Sequence, residues 1–196
     1  MKIERIYREI LYRILDLKES GVFKQKELSS DAKLSISTVN YSLIPLQQMN
    51  AIEKKPFGFR VIDAKKILLY WSSIRKLRRD VVYKNFVNEK IERIESIVPA
   101  RSVFTAYTAF KFKFKKVPSD YGEVIVYGEK ERFEERFGKE NIKLKPNLIV
   151  LNLDEHLLKF KMTPIAQIFV DLWNLDTWYA KEFLNKLEGV INGILE

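Results

Sequence analysis

Apolar residues recur at spacings of three and four in several stretches of the first 98 residues, which is the spacing of one face of a helix. The pattern predicts a first helix over residues 2–19, a second from Lys24 to about Lys33 and a third from about Ile36 to Met49. A strand, a basic turn at Lys55–Gly58 and a second strand follow. Residues 1–62 are therefore expected to form three helices followed by a hairpin.

The predicted third helix has two chemically different faces. Its apolar residues lie on one side, at spacings of four, three and three: Val39, Leu43, Leu46 and Met49. Between them lie small or planar polar side chains that can contact base edges: Ser37, Thr38, Asn40, Tyr41 and Ser42. The hydroxyl of Ser35 can cap this helix by accepting a backbone N–H. Pro45 predicts a bend, because proline removes one helical hydrogen bond.

Residues 63–98 predict a connecting helical segment. Asp63 is a candidate N-terminal cap and Pro99 closes the segment, which need not be one straight helix and can break near Asp80. An apolar stripe runs along it from Ile67 to Val98. Two arrangements account for this stripe: core packing within the monomer, or a seam between the protomers of a homodimer.

The second half of the chain changes character. Runs of β-branched and aromatic residues predict strands at 103–107, 110–115, 123–127 and 147–151. A short helix is expected over Lys130–Phe137, ended by Gly138, and further helices from Pro164 and from Trp178 to Leu187. The fold class expected for the whole chain is α+β. Its predicted parts are residues 1–62, the connecting segment 63–98, and an α+β domain over 99–196.

Composition narrows the chemistry. The chain has 196 residues with no cysteine and one histidine, which excludes disulfides and thiolate metal sites and argues against a histidine zinc site. Its longest apolar runs fall short of the roughly 18 residues of a membrane span, and charges interrupt the first ten residues. The expectation is a cytoplasmic protein without a membrane partner, cofactor or metal.

The net charge of +9 is unevenly distributed along the sequence. Residues 1–98 hold 20 Lys and Arg against 12 Asp and Glu, whereas residues 99–196 hold 15 against 14. The excess of +8 in the first half, compared with +1 in the second, favours a polyanionic partner for the half that contains the helical face described above.

Candidate catalytic groups are few. Asp154-Glu155-His156 follows a predicted strand and is expected to cap a turn, and Asp171 and Asp176 are five residues apart, so they do not share a helical face. No glycine-rich phosphate loop is present. The alternation of Phe and Lys over residues 110–115 fits either stacking on single-stranded bases or a strand whose phenylalanines face the core, and the second is favoured. No catalytic residue is predicted, and the chain is not expected to be an enzyme.

The residues Lys26-Glu27-Leu28, Ser35 to Asn40 and Ala51-Ile52-Glu53 resemble the winged helix-turn-helix of MarR-like prokaryotic regulators, over roughly residues 5–62. The resemblance implies that Ser37, Thr38, Asn40 and Tyr41 enter the major groove of duplex DNA. The expected contacts to the DNA backbone are made by six residues near these: Lys24, Gln25, Ser35, Lys54, Lys55 and Arg60.

The second half is similar, more faintly, to AbiEi-like antitoxins of type IV toxin–antitoxin systems. The residues that carry this similarity are Glu123–Tyr127, Leu148–Leu151, Thr163–Leu172 and Ala180–Leu184. Phe104–Ala109 departs from that family, which usually has a glycine-containing stretch there. The similarity implies a protein that represses its own promoter and opposes a partner toxin through its C-terminal domain.

The sequence thus favours a sequence-specific, double-stranded DNA-binding transcriptional regulator, a repressor that acts as a dimer. The alternative is an antitoxin-like interaction protein whose C-terminal domain neutralises a protein partner.

Overall fold

Residues 3–141 and 143–196 are described by the structure, a computed structural model whose fold is mixed α+β, as predicted. Unit 1 contains the chain up to Arg75 together with Pro164–Val170 and Glu188–Glu196. Unit 2 contains Lys76–Thr163 and Asp171–Leu187. This division differs from the predicted boundaries at residues 62 and 98, because the C-terminal helices contribute residues to both units.

Unit 1 begins with the three predicted helices: α1, Glu4–Leu15; α2, Gln25–Ala32; and α3, Ile36–Gln48. The apolar face of α1 is buried and includes Ile6 and Ile10. This helix ends earlier than residue 19, and Lys18 takes a left-handed conformation with φ 56°. The three predicted core residues of α3 that precede Met49 are all buried: Val39, Leu43 and Leu46. Met49, the fourth predicted residue of that face, follows the helix and is only half-buried, so helical spacing identified both buried faces except at the end of α3.

A three-stranded antiparallel sheet completes the first part of unit 1. Its strands are β1, Val22–Phe23; β2, Ile52–Lys55; and β3, Gly58–Val61, in the order β1-β3-β2. The predicted hairpin is confirmed, with Ile52 opposite Val61. Phe23 and Phe59 are stacked, with ring centroids 5.6 Å apart. Strand β1 was not predicted, because its pairing with β3 joins residues far apart in the chain.

The predicted helical segment over residues 63–98 is wrong beyond its first third. Helix α4 spans Ala64–Ile74 and is capped by Asp63, whose Oδ1 accepts from the Lys66 N–H at 2.9 Å. A 3-10 turn, strand β4 (Val81–Asn85) and the short helix α5 (Ile91–Ser96) follow. Strand β4 pairs with a strand more than sixty residues away, and those backbone hydrogen bonds outweigh the helical spacing. Core packing accounts for much of the apolar stripe, since its members Ile67, Leu77 and Ile94 are buried inside the monomer.

Unit 2 contains a four-stranded sheet in the order β4-β7-β6-β5. The additional strands are β5, Val103–Phe104; β6, Val124–Gly128; and β7, Leu148–Asn152. Strands β6 and β7 are parallel, joined through helix α7 (Lys130–Phe137), and the other pairings are antiparallel. All five residues of β6 are buried, so this strand is covered on both faces. The predicted strands at 123–127 and 147–151 and the predicted helix ended by Gly138 are confirmed to within one residue.

The strand predicted at 110–115 is wrong, because residues 110–114 belong to helix α6, Ala106–Phe114, and Lys115 follows the helix in a left-handed conformation. Phe110 and Phe114 are four residues apart on one side of this helix, with ring centroids separated by 4.7 Å. Phe112 lies elsewhere on the helix and makes an edge contact with Phe104, at 5.3 Å. The strand predicted at 103–107 is correspondingly reduced to two residues. Alternation over six residues also fits a helix whose aromatic residues pack on different sides.

Two helices close the chain: α8, Ile165–Trp173, and α9, Trp178–Leu195. Helix α9 extends eight residues beyond the predicted end at Leu187. Its buried residues include Phe183, which makes edge contacts with Tyr107 and Phe110 in unit 2, at centroid distances of 5.0 and 5.1 Å. Phe183, Tyr107 and Phe110 thus form an aromatic cluster in the core of unit 2.

Four tyrosines whose phenols are buried or partly buried predict how the stability of the protein depends on alkaline pH. Burial raises the pKa of Tyr7, Tyr107, Tyr121 and Tyr179. The unfolded chain ionises its tyrosines near pH 10, while these four stay protonated in the folded protein. Stability is therefore retained below about pH 10 and falls as the pH rises above it. Tyrosinate absorbance should show at least these four of the nine tyrosines ionising only with loss of the far-ultraviolet circular dichroism.

The control for this titration is the urea-unfolded protein, in which the tyrosines are expected to ionise in one phase. Ionisation of all nine in the native protein, with the circular dichroism unchanged, would contradict the burial of these four phenols.

Candidate nucleic-acid interface

A three-residue turn connects α2 to α3. Lys33 takes the left-handed conformation, with φ 52°. The Ser29 hydroxyl donates to the Leu34 carbonyl at 2.6 Å, and the Leu34 N–H donates to the Ser29 carbonyl at 3.0 Å. Ser35 then caps α3, its Oγ accepting from the Thr38 N–H at 3.1 Å. The sequence therefore fixes where α3 begins by local hydrogen bonds.

The core of unit 1 sets the rotation of α3 about its axis. Val39, Leu43 and Leu46 are buried, and the Tyr7 hydroxyl donates to the carbonyl of Ser42 at 3.0 Å. The placement of Ser42 on the polar face is wrong, because its side chain is buried and its hydroxyl donates to the Val39 carbonyl at 2.7 Å. The opposite side of α3 is exposed along more than three turns, at spacings of three and four: Ser37, Asn40, Tyr41, Ile44 and Gln48. We call these five residues the exposed face of α3.

Three of the four residues predicted to contact bases lie on this face: Ser37, Asn40 and Tyr41. Tyr41 is 69 % exposed. Thr38 is only half-buried, and its Oγ1 lies 2.9 Å from the Ser35 Oγ, which makes these two residues a capping pair. The structure therefore places Thr38 and Ser35 together at the start of the helix, and the other three side chains on the solvent side.

Sequence reasoning missed Ile44 and Gln48. Both lie on the exposed face, and the Ile44 side chain is 46 % exposed. The helical spacing could have identified them, because Ile44 follows Tyr41 by three residues and Gln48 follows Ile44 by four. Ile44 is apolar, however, and the bend expected at Pro45 confined the predicted face to the first turns. The helix nevertheless continues through Pro45 to Gln48.

The hairpin presents the predicted basic residues. Lys54 and Arg60 are exposed and Lys55 is half-buried. Glu53 lies opposite Arg60 in the register, and its Oε2 is 2.9 Å from the Lys55 Nζ. This carboxylate offsets part of the positive charge on the outer face of the hairpin. Lys54 lies in register with Phe59 instead.

Phe57 is a further residue that the sequence did not single out. It forms the tip of the hairpin between Pro56 and Gly58 and is 85 % exposed. An apolar side chain at such a tip is suited to insertion beside a base step in a groove of duplex DNA.

Lys24 and Gln25, the remaining predicted backbone contacts, lie at the start of α2. Lys24 is exposed and pairs with Glu27, with Nζ 3.2 Å from Oε1, and Gln25 is half-buried. The hydrogen bond from Lys24 lowers the pKa of Glu27. The six predicted backbone contacts are thus distributed over the start of α2, the start of α3 and the hairpin.

The charge asymmetry between the two halves of the sequence does not persist in the folded units. Unit 1 carries 14 Lys and Arg against 10 Asp and Glu, and unit 2 carries 21 against 16, giving net charges of +4 and +5. The reason is that basic residues after Arg75 belong to unit 2, while two C-terminal acids, Glu188 and Glu196, belong to unit 1. One local feature of the charge distribution remains. Residues 32–52, which include all of α3, contain no Asp or Glu.

The candidate catalytic residues occupy structural positions. Asp154 caps a 3-10 turn by accepting from the His156 N–H at 3.1 Å, as predicted. Asp171 is fully buried and accepts from the hydroxyls of Thr105 and Tyr127, whereas Asp176 is exposed and pairs with Arg78. Within residues 3–141 and 143–196, no group of three or more His, Cys, Asp or Glu side chains is arranged to hold a metal.

No protein-family model, curated protein or solved structure matches the chain. Among the helices that the structure describes, none combines the length and the apolar character needed to cross a bilayer.

Proposed function

We propose that residues 1–62 form a winged helix-turn-helix domain that binds duplex DNA and that the protein regulates transcription, as a repressor of its own promoter. The observation that carries this proposal is the exposed face of α3. It is polar at Ser37 and Asn40, it has no nearby carboxylate in its own helix, and it is held from behind by buried apolar residues. The major groove of DNA admits one α-helix of this kind.

The hairpin supplies the second element of the proposal. Lys54, Lys55 and Arg60 can neutralise phosphates, which provides affinity for any duplex and makes that affinity depend on salt. The element order of α1, β1, α2, α3 and the β2–β3 hairpin supports the same domain class. In a dimer of such domains, the two half-sites would be about one helical turn apart. The proposed compartment is the cytoplasm, and no cofactor is required.

The test compares one residue of α3 with one of the hairpin. Asn40→Ala is expected to weaken binding to the preferred duplex by about ten- to a hundredfold, with little effect on random duplexes. Lys55→Ala should weaken all duplexes about equally and lower the slope of log affinity against log salt by about 1. Binding to the promoter DNA upstream of the gene and to a scrambled duplex, measured by fluorescence anisotropy at several salt concentrations, distinguishes these effects.

Lys181→Ala is the matched control, since Lys181 is an exposed lysine on α9, in unit 2. It is expected to leave both affinities unchanged. Equal losses on specific and random DNA for Asn40→Ala would remove α3 from the recognition role. The absence of binding to any duplex by the wild-type protein would refute the proposed function.

A second candidate function rests on two exposed tryptophans of unit 2. Trp173 is 46 % and Trp178 is 70 % exposed, and tryptophan is enriched among the residues that dominate protein interfaces. An antitoxin-like protein would bind its partner through such a surface. Co-purification with a toxin encoded next to this gene, lost in Trp178→Ala while DNA binding is retained, would favour this alternative.

A further inference from the structure

The exposed face of α3 lacks charge. Its five members, Ser37 to Gln48, are neutral, and the sequence contains no Lys or Arg between Lys33 and Lys54. Lys33 precedes the helix and Lys54 lies in the hairpin. A helix that enters the major groove with this face therefore presents amide, hydroxyl and apolar groups to the bases, without a cation.

This composition discriminates among base pairs. Guanine presents two acceptors in the major groove, O6 and N7, and its usual partner is the bidentate donor pair of Arg or Lys. Adenine presents one donor and one acceptor, N6 and N7, which the amide of Asn or Gln matches with both of its polar atoms. Asn40 and Gln48 supply such amides on the exposed face.

The apolar members of the face match the other base of the pair. Thymine is distinguished in the major groove by its C5-methyl group, which apolar side chains contact. Ile44 is 46 % exposed, and its β-branched side chain has little rotational freedom to lose on binding. Tyr41 adds an exposed ring beside it. In the isolated protein both apolar surfaces are left in water, and a thymine methyl would cover them.

The spacing allows neighbouring bases to be contacted together. Asn40 and Ile44 are four residues apart, which is about 6 Å along a helix axis. Successive bases of one strand are about 3.4 Å apart along the duplex. The two side chains therefore span about two base steps. Their positions on one side of α3 are fixed by the buried residues Val39 and Leu43 behind them.

We propose that α3 recognises A·T base pairs, with Asn40 binding adenine and with Ile44 and Tyr41 contacting thymine methyl groups. This inference rests on the proposed function. It names the class of sequence that the domain selects, which is an A·T-rich site contacted in the major groove. Recognition at this site requires the C5-methyl group of thymine in addition to the A·T base pair.

The experiment begins with selection from a random duplex pool by the purified full chain, followed by sequencing of the bound fraction. A motif dominated by A·T pairs is expected. Each thymine of the motif is then replaced, one at a time, by deoxyuridine, which lacks only the methyl group. Affinity should fall by about fourfold at each contacted thymine, the effect of one buried methyl-sized group.

Ile44→Ala should bind the motif more weakly and become insensitive to deoxyuridine at one position. Ile62→Ala is the matched control, because Ile62 is an exposed isoleucine (57 %) outside α3, and it should keep the full sensitivity. Deoxyuridine retains the minor-groove acceptor of thymine, so a protein that reads the minor-groove edge of the base would not respond to it.

Each outcome bears on a different claim. A selected motif that requires guanine at the positions sensitive to Asn40→Ala would overturn the A·T assignment while leaving the DNA-binding function intact. An A·T motif that tolerates deoxyuridine everywhere would overturn the methyl contacts. If no duplex is bound, the proposed function itself fails, and the inference fails with it.

Discussion

Gly58→Ala is expected to destabilise unit 1 by about 4 kcal/mol or more. Gly58 opens β3 with φ +152°, a conformation that side chains rarely adopt. A Cβ at this position would lie 2.0 Å from the Phe23 carbonyl oxygen, a backbone atom of the neighbouring strand β1. Backbone cannot move aside as a flexible side chain can. The β1–β3 pairing would have to separate, and the stacked pair of Phe23 and Phe59 with it.

Two other glycines separate the effect of the steric clash on stability from the effect of backbone strain. Gly21 also has positive φ, +118°, but a methyl group added there would have no neighbouring atom within 4 Å, so Gly21→Ala should cost only the backbone strain, about 1–2 kcal/mol. Gly189 lies inside α9 with open space around it, and Gly189→Ala should stabilise the protein by up to about 1 kcal/mol.

Urea unfolding followed by circular dichroism measures the stability of all three variants. The expected order of stability is Gly189→Ala, wild type, Gly21→Ala, Gly58→Ala. A Gly58→Ala variant no less stable than Gly21→Ala would contradict the close approach of β1 to the hairpin. The proposed function adds a second consequence, because displacement of the hairpin should weaken binding to every duplex.

Asp171→Ala is expected to destabilise unit 2 by about 3 kcal/mol. The Asp171 side chain is fully buried, and its Oδ2 accepts from the Thr105 hydroxyl at 2.7 Å and from the Tyr127 hydroxyl at 2.5 Å. Removal of the carboxyl group leaves both hydroxyls buried without this acceptor. The loss of a buried hydrogen bond to a charged group costs about 1.5–3 kcal/mol. Urea unfolding monitored by circular dichroism measures the loss.

Asp176→Ala is the control in the same part of the chain. Asp176 and Arg78 form an ion pair at 2.9 Å, with more than four-fifths of each side chain exposed. Its loss should change stability by less than about 1 kcal/mol, because water screens an exposed pair. Tyr127→Phe and Thr105→Val, each alone and combined with Asp171→Ala, show how the lost stability is divided between the two hydrogen bonds. Equal effects of the two aspartate changes would show that the buried hydrogen bonds contribute nothing to stability.

Local features of the sequence predicted much of the fold and of the candidate interface. Ser35 and Asp63 cap helices through contacts that reach only three residues ahead. The apolar spacing in α3 identified its buried face. The residues on the opposite side of the helix then gave most of its exposed face. The hairpin turn followed from Pro56 and Gly58. These features involve neighbours in the chain, so the sequence contains all the information that they require.

Features that depend on distant partners were not predictable in this way. Val81–Asn85 is a strand because β7 provides its hydrogen-bonding partner, although its own spacing also suits a helix. Residues 110–114 are helical, although their alternation suits a strand, because Phe110 packs against Phe183 and Phe112 against Phe104. A short apolar pattern fits both periods, and long-range burial selects between them.

The sequence by itself determined the start of α3, its buried side and the polar residues that it exposes, because capping and helical periodicity act over a few residues. Only the tertiary structure decided which residues share a unit, and it thereby removed the charge asymmetry that the linear sequence had suggested. It also added Ile44 to the exposed face of α3. Burial and the grouping of charges are properties of packed surfaces, and these are formed by residues far apart in the chain.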